Sequence, residues 1–164
     1  MKILPSILAA LALIFSSSVY SSDEYPVGIA KNKPFVEVTH QGKSVKIERI
    51  QNTNNKLAGD FARTSRPCPP FCITPIQVAP KVDTIGELEL LDFISNQVKN
   101  DKGLLIDSRM PEKFKIDTIP GAINIPFILF TGDNTQEVLN LLGVKEVRGK
   151  ANYSEAKDLC LFCN

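Results

Sequence analysis

The stretch of sequence that decides the fold is Leu104-Leu-Ile-Asp-Ser-Arg109, a short apolar run that ends in polar residues. An apolar run without polar alternation is typical of a strand that is covered on both faces of a parallel sheet. Ile123-Asn-Ile125 and Leu159-Cys-Leu-Phe-Cys163 predict two further strands. A short strand is also predicted at Val82-Asp-Thr-Ile85.

Helical segments are predicted between these strands. The first starts at Thr84 or Gly86 and runs to about residue 98. Its apolar residues recur at helical spacing and share one face: Leu88, Leu91, and Ile94 or Val98. Shorter segments are predicted at residues 110–114, 133–142 and 153–158, and Gly143 ends the second of them. Because strands alternate with helices, the predicted fold class is α/β, a parallel sheet flanked by helices.

The residues before this region divide into an extension and a connector. Within residues 22–66, Phe35-Val-Glu-Val-Thr39 and Val45-Lys-Ile-Glu-Arg-Ile50 alternate as strands do and predict a small β-hairpin. Residues 67–81 carry five prolines, a density that excludes a regular helix or a central strand. We therefore expect a domain boundary near residue 80 and a second domain at residues 82–164.

The first 21 residues have the pattern of an export signal. Lys2 precedes an apolar run that ends at Phe15, and small residues around Ser21 suit cleavage after that position. The alternative is a membrane anchor, but the run is shorter than the roughly 20 residues of a spanning helix. A periplasmic or secreted protein without a membrane attachment is predicted.

The charge of the chain is balanced. It has 19 basic and 18 acidic residues, a formal net charge of +1, and no Trp. Without a basic stripe or an aromatic platform, no nucleic-acid partner is expected.

Four short motifs follow one another along the chain. They are Ile106-Asp-Ser-Arg109, Pro111-Glu112, Ile119-Pro-Gly-Ala-Ile-Asn-Ile-Pro126 and Leu161-Phe-Cys163, in that order. Their order resembles that of the motifs in rhodanese-like sulfurtransferase domains. The family shows Asp-x-Arg, then Pro and Glu, a Gly-His-Ile-Pro-Gly-Ala turn, and a strand that ends in the active Cys. This chain has Asp117-Thr118 in place of the family's Gly-His. The resemblance covers residues 82–164.

The resemblance implies a chemistry and a site. A cysteine thiolate, here that of Cys163, would attack the outer sulfur of a donor such as thiosulfate and become a persulfide. A thiol acceptor would then take the sulfur, and no cofactor or metal is implied. Asp107 and Arg109 would lie near the site as structural residues, since capping and local pairing explain them better than an acid–base role.

The resemblance also implies that the domain is incomplete. In the family a loop of inward-pointing backbone amides follows the cysteine, whereas only Asn164 follows Cys163. We therefore expect a C-terminally truncated rhodanese-like domain that is inactive or impaired as written. The alternative is a non-catalytic rhodanese-like binding module, or a degenerate fragment without activity.

The other cysteines have simpler interpretations. Cys68-Pro-Pro-Phe-Cys72 resembles an extension of some exported rhodanese-like proteins, and an oxidising compartment favours a disulfide between its cysteines. The alternatives are that the two cysteines are reduced and simply packed, or that they resolve a persulfide.

Cys160 and Cys163 have the spacing of a redox pair. Residues three apart in a strand point to opposite faces, so neither a redox pair nor a zinc site is expected. Cys163 has an alternative of its own, a small apolar residue that closes a buried strand. No role is predicted for His40.

Overall fold

The computed structural model of the chain describes residues 25–59, residue 62 and residues 76–163. The predicted export signal and the predicted disulfide between Cys68 and Cys72 lie outside the described residues.

The described chain opens with an antiparallel hairpin. Strand β1 (Phe35–His40) pairs with β2 (Lys43–Glu48) through a two-residue turn, in which Gln41 and Gly42 have φ of 49° and 76°. Positive φ at both central residues is typical of the turn that suits the strand twist of a tight hairpin. The predicted hairpin is therefore confirmed.

A helical segment follows the connector. It consists of α1 (Glu87–Phe93) and one turn of π-helix (Ile94–Val98), in which the amide of Lys99 donates to the carbonyl of Ile94 at 3.0 Å. Gly86 precedes α1, which agrees with the later of the two predicted starts. The predicted buried position of Leu88 is wrong, because that side chain is 44% exposed and packing comes from other positions of the helix.

The rest of the chain forms a parallel sheet with short helices and a second hairpin. In order, the elements are β3 (Gly103–Asp107), α2 (Pro111–Ile116), β4 (Ile123–Asn124), two 3-10 turns (Phe127–Phe130 and Gly132–Asn134), α3 (Thr135–Leu141), β5 (Lys145–Val147), β6 (Lys150–Asn152) and β7 (Asp158–Phe162). The sheet has the order β4-β3-β7, and both pairings are parallel. The α/β class with a parallel sheet flanked by helices is thereby confirmed.

Strand β3 lies at the centre of the core because its two faces are both covered. Leu105 packs with the hairpin residues Val36 and Val38 and with α1, while Ile106 packs on the other face with Val138 of α3. Alternate residues of a strand point to opposite faces, which explains the continuous apolar run. The first hairpin thus shares a core with the α/β region, and the domain boundary near residue 80 stays a prediction.

The predicted strand at residues 82–85 is wrong. Val82 makes only an isolated antiparallel bridge to Ala79. Its amide donates to the Ala79 carbonyl at 3.2 Å, and Lys81 between them has φ of 64°. This tight turn uses the backbone group that a strand would need for pairing, and Ile85 is 41% exposed.

The predicted helix at residues 153–158 is also wrong. Only a turn is present there, closed by the bond from the Ala156 amide to the Tyr153 carbonyl at 3.0 Å. The next amides donate to distant carbonyls, Lys157 to Leu142 and Asp158 to Lys102. Tertiary bonds therefore replace helical ones. The hairpin of β5 and β6 just before this turn was not predicted.

No helix among the described residues has the length and apolar character needed to cross a membrane.

Candidate functional site

The candidate site lies where two parallel strands end side by side. Asp107, the last residue of β3, is in register with Phe162, the last residue of β7. Ser108 and Arg109 therefore leave the sheet at the same edge as Cys163. The carboxyl ends of strands are where open α/β sheets bind ligands.

Asp107 is the buried anchor of this edge. Its side chain is fully buried and accepts bonds from the Arg109 amide at 3.0 Å and from the Thr118 hydroxyl at 2.9 Å. The Arg109 guanidinium adds bonds of 2.8–3.2 Å to both carboxylate oxygens. These side-chain bonds from Arg109 are the main reason that the pKa of Asp107 lies below its ordinary value. The predicted capping is limited to the Arg109 amide in these bonds, since the other donors are side chains.

Arg109 links β3 to the loop before Ile119. Beyond Asp107, its guanidinium donates to the Asp117 carbonyl at 2.7 Å and to the Asp117 carboxylate at 3.1 Å. The bonds with Asp107 and then Asp117 raise the pKa of Arg109. Its charge is therefore matched by two carboxylates, and its planar group also lies 5.8 Å from the ring centre of Phe162.

The turn that contains Gly121 is held from two sides. Asn124 donates from its side-chain amide to the Asp107 and Arg109 carbonyls, both at 2.9 Å. From the first hairpin, His40 accepts a bond from the Gly121 amide at 3.2 Å through Nδ1. This role of His40 could not be predicted from the sequence, because the two residues are 81 positions apart.

Cys163 directly follows β7 and is an exposed, free thiol. This exposure contradicts the alternative in which Cys163 closes a buried strand. The preceding carbonyl, that of Phe162, accepts bonds from both the amide and the hydroxyl of Ser108. Ser108 was missed from the sequence, and its position directly after a predicted strand was the one available signal.

Two open cavities meet at Arg109. The first, of about 300 Å³, is lined by Arg109, Asp117, Thr118, Ile119 and Phe162. The second, of about 360 Å³, shares Arg109 and Asp117 and adds Lys113 and Ile116. The residue that precedes the exposed thiol thus forms part of a cavity wall with mixed charge.

Cys160 lies in a different environment from Cys163. It is half-buried against the core on the hairpin side of the sheet, and this burial raises the pKa of its thiol. A thiol whose ionised form is disfavoured is a poor nucleophile. Within the part of the chain that the structure describes, no group of three or more His, Cys, Asp or Glu is arranged to hold a metal ion.

Comparison of the chain with protein-family models, with curated proteins and with solved structures gives no match.

Proposed function

We propose that the protein is a rhodanese-like protein in which Cys163 carries a transferable sulfur atom as a persulfide. The observation that carries the proposal is the place of this thiol, exposed at the carboxyl end of a parallel strand and directly after a residue that lines a cavity. The order of motifs described from the sequence supplies the chemistry. Its Asp-x-Arg motif and its Ile-Pro-Gly-Ala turn both lie at this edge.

The proposed reaction has two steps. The Cys163 thiolate attacks the outer sulfur of thiosulfate, a new sulfur–sulfur bond forms, and sulfite leaves with the electron pair of the broken bond. A thiolate acceptor, or cyanide in an assay, then attacks the outer sulfur of the persulfide. That step releases the Cys163 thiolate, so neither step needs an external oxidant or reductant.

The charges around the cavity support a small anionic donor that enters beside Lys113. Arg109 is engaged by Asp107 and Asp117, and its cationic charge is therefore largely neutralised. Lys113 lines the adjoining cavity and adds a positive charge there. Coulomb attraction would draw a small anion towards Lys113, and the Asp117 carboxylate, which lines the same cavity, would repel it.

Loading with sulfur and mass spectrometry test the proposal. Purified protein is incubated with thiosulfate and digested without reductant, and the mass of the peptide that contains residue 163 is measured. We expect the mass of one added sulfur atom on Cys163, none on Cys163→Ser, and unchanged loading in the matched variant Cys160→Ser. A following incubation with cyanide should release thiocyanate and remove the added mass.

The same experiment identifies the alternative, a non-catalytic rhodanese-like binding module. Equal absence of added sulfur and of thiocyanate in the wild type and in Cys163→Ser would contradict the proposal. Loading without turnover would place the impairment in the acceptor step, which agrees with the expectation of an impaired enzyme.

A further inference from the structure

Ser108 holds the peptide group that carries Cys163. The Ser108 amide donates to the Phe162 carbonyl at 3.0 Å, and the Ser108 hydroxyl donates to the same oxygen at 2.9 Å. The first bond continues the ladder between β3 and β7. The second is additional, and it comes from a side chain that is only 7% exposed.

The neighbouring strand ends in the same way. The Asp107 carbonyl accepts bonds from the Ile125 amide at 3.1 Å and from the Asn124 side chain at 2.9 Å. Both carbonyls at the end of the sheet are therefore doubly bonded, one partner being backbone and the other a side chain. The Phe162 ring is also covered by Arg109. Phe162 is thus contacted by two consecutive residues, at its carbonyl by Ser108 and at its ring by Arg109.

We propose that Ser108 is a positioning residue that sets where the Cys163 thiol leaves the sheet. The carbonyl of Phe162 and the Cα of Cys163 belong to one planar peptide unit. Two donors that converge on the oxygen from different directions restrict the tilt of that plane more than the single backbone donor would. Ser108 therefore constrains the position of the Cα of Cys163, from which the side chain starts.

This inference rests on the proposed function of Cys163, but its first test does not. In nuclear magnetic resonance relaxation experiments, the amide order parameter of Cys163 should be about 0.85 in the wild type and measurably lower in Ser108→Ala, in which only the backbone donor remains. Ser108→Thr keeps the hydroxyl and should keep the wild-type value. Ser108→Val has nearly the shape of Thr without the hydroxyl and should behave as Ser108→Ala does.

Ser95 offers a matched control. Its hydroxyl also donates to a backbone carbonyl, that of Leu91, at 2.7 Å in the helical segment. Ser95→Ala should leave the order parameter of Cys163 unchanged. If Ser95→Ala and Ser108→Ala change that order parameter equally, or if neither changes it, the positioning role is overturned.

The second test measures sulfur transfer in a single turnover. Ser108→Ala and Ser108→Val should slow the loading of Cys163 by about threefold to tenfold, the effect of one lost hydrogen bond, with rescue by Ser108→Thr. A wild type that never loads, together with the expected changes in order parameter, would refute the proposed function and support the positioning. Equal loading rates in the wild type, Ser108→Val and Ser108→Thr would refute the positioning and leave the proposed function supported.

Discussion

Arg109 and Asp107 form a two-pronged ion pair across a single intervening residue. Nη2 of Arg109 lies 2.8 Å from Oδ2 of Asp107, and its Nε lies 3.0 Å from Oδ1. The pair closes the end of the central strand, and through Asp117 it also fixes the loop that lines the cavity. Because this buried pair joins the end of β3 to that loop, we expect it to contribute more to the free energy of unfolding than the exposed pair with Asp117 does.

Asp107→Ala should lower the free energy of unfolding by about 3–5 kcal/mol, because removal of one partner leaves the other partner and several donors unsatisfied. Asp107→Asn should lower it less, since the amide oxygen still accepts one bond. Urea denaturation measures both. Asp117→Asn is the matched control, and its exposed pair should contribute less than about 1 kcal/mol. Equal losses for Asp107→Ala and Asp117→Asn would contradict the central role of Asp107.

Asp107 should also make the stability depend on pH. Its pKa is lowered in the folded protein by the bonds from Arg109, so the unfolded chain takes up the proton first as the pH falls. The stabilisation is present above the ordinary pKa of about 3.9 and is lost as the pH falls through the folded value. We expect Asp107→Asn to show a shallower loss of stability than the wild type as the pH falls below about 4. Parallel curves for the two proteins would count against this assignment.

His40→Ala should weaken the link between the first hairpin and the Gly121 turn. The Gly121 amide would lose its acceptor, and we expect a loss of about 1–2 kcal/mol together with faster exchange of that amide hydrogen. His40→Asn places an oxygen where Nδ1 lies and should retain part of the protection. Unchanged exchange at Gly121 in His40→Ala would show that the contact is absent in solution.

Gly143→Ala should destabilise the protein strongly. Gly143 has φ of 85°, and an added Cβ would overlap the Glu155 carbonyl oxygen, which is backbone and has little freedom to move. Gly149 is the matched control, with φ of 75° and no atom within 4 Å of an added Cβ. We expect a loss of about 1–2 kcal/mol for Gly149→Ala from the backbone alone and of more than about 3 kcal/mol for Gly143→Ala. Similar thermal midpoints for the two variants would argue against this contact.

Alkylation should distinguish the two cysteines near the end of the chain. The thiolate is the reactive form, and burial raises the pKa of Cys160, whereas Cys163 is exposed. Iodoacetamide at pH 8 should modify Cys163 at least about tenfold faster than Cys160, as followed by peptide mass spectrometry. Preferential modification of Cys160 would mean that β7 is not docked on β3 as described.

The elements that were predicted correctly are those whose pattern is local. The run from Leu104 to Asp107 predicted a buried parallel strand, and the spacing of Leu91 and Ile94 predicted the buried face of a helix. The predictions for residues 82–85 and 153–158 were wrong for different reasons. The amide of Val82 bonds within a local turn to Ala79, whereas the amides of Lys157 and Asp158 bond to carbonyls that are distant in the chain, and propensity does not report such distant partners.

By itself, the sequence determined the class of the fold, the buried strand that ends at Asp107 and the first hairpin, because the spacing of apolar residues decides which segments are buried. Only the tertiary structure decided that His40 reaches Gly121 and that Ser108 reaches the carbonyl before Cys163. These contacts join residues 81 and 54 positions apart. Such pairs form only after the strands have packed, since a hydrogen bond depends on the direction of both groups and no local pattern of residue types records that direction.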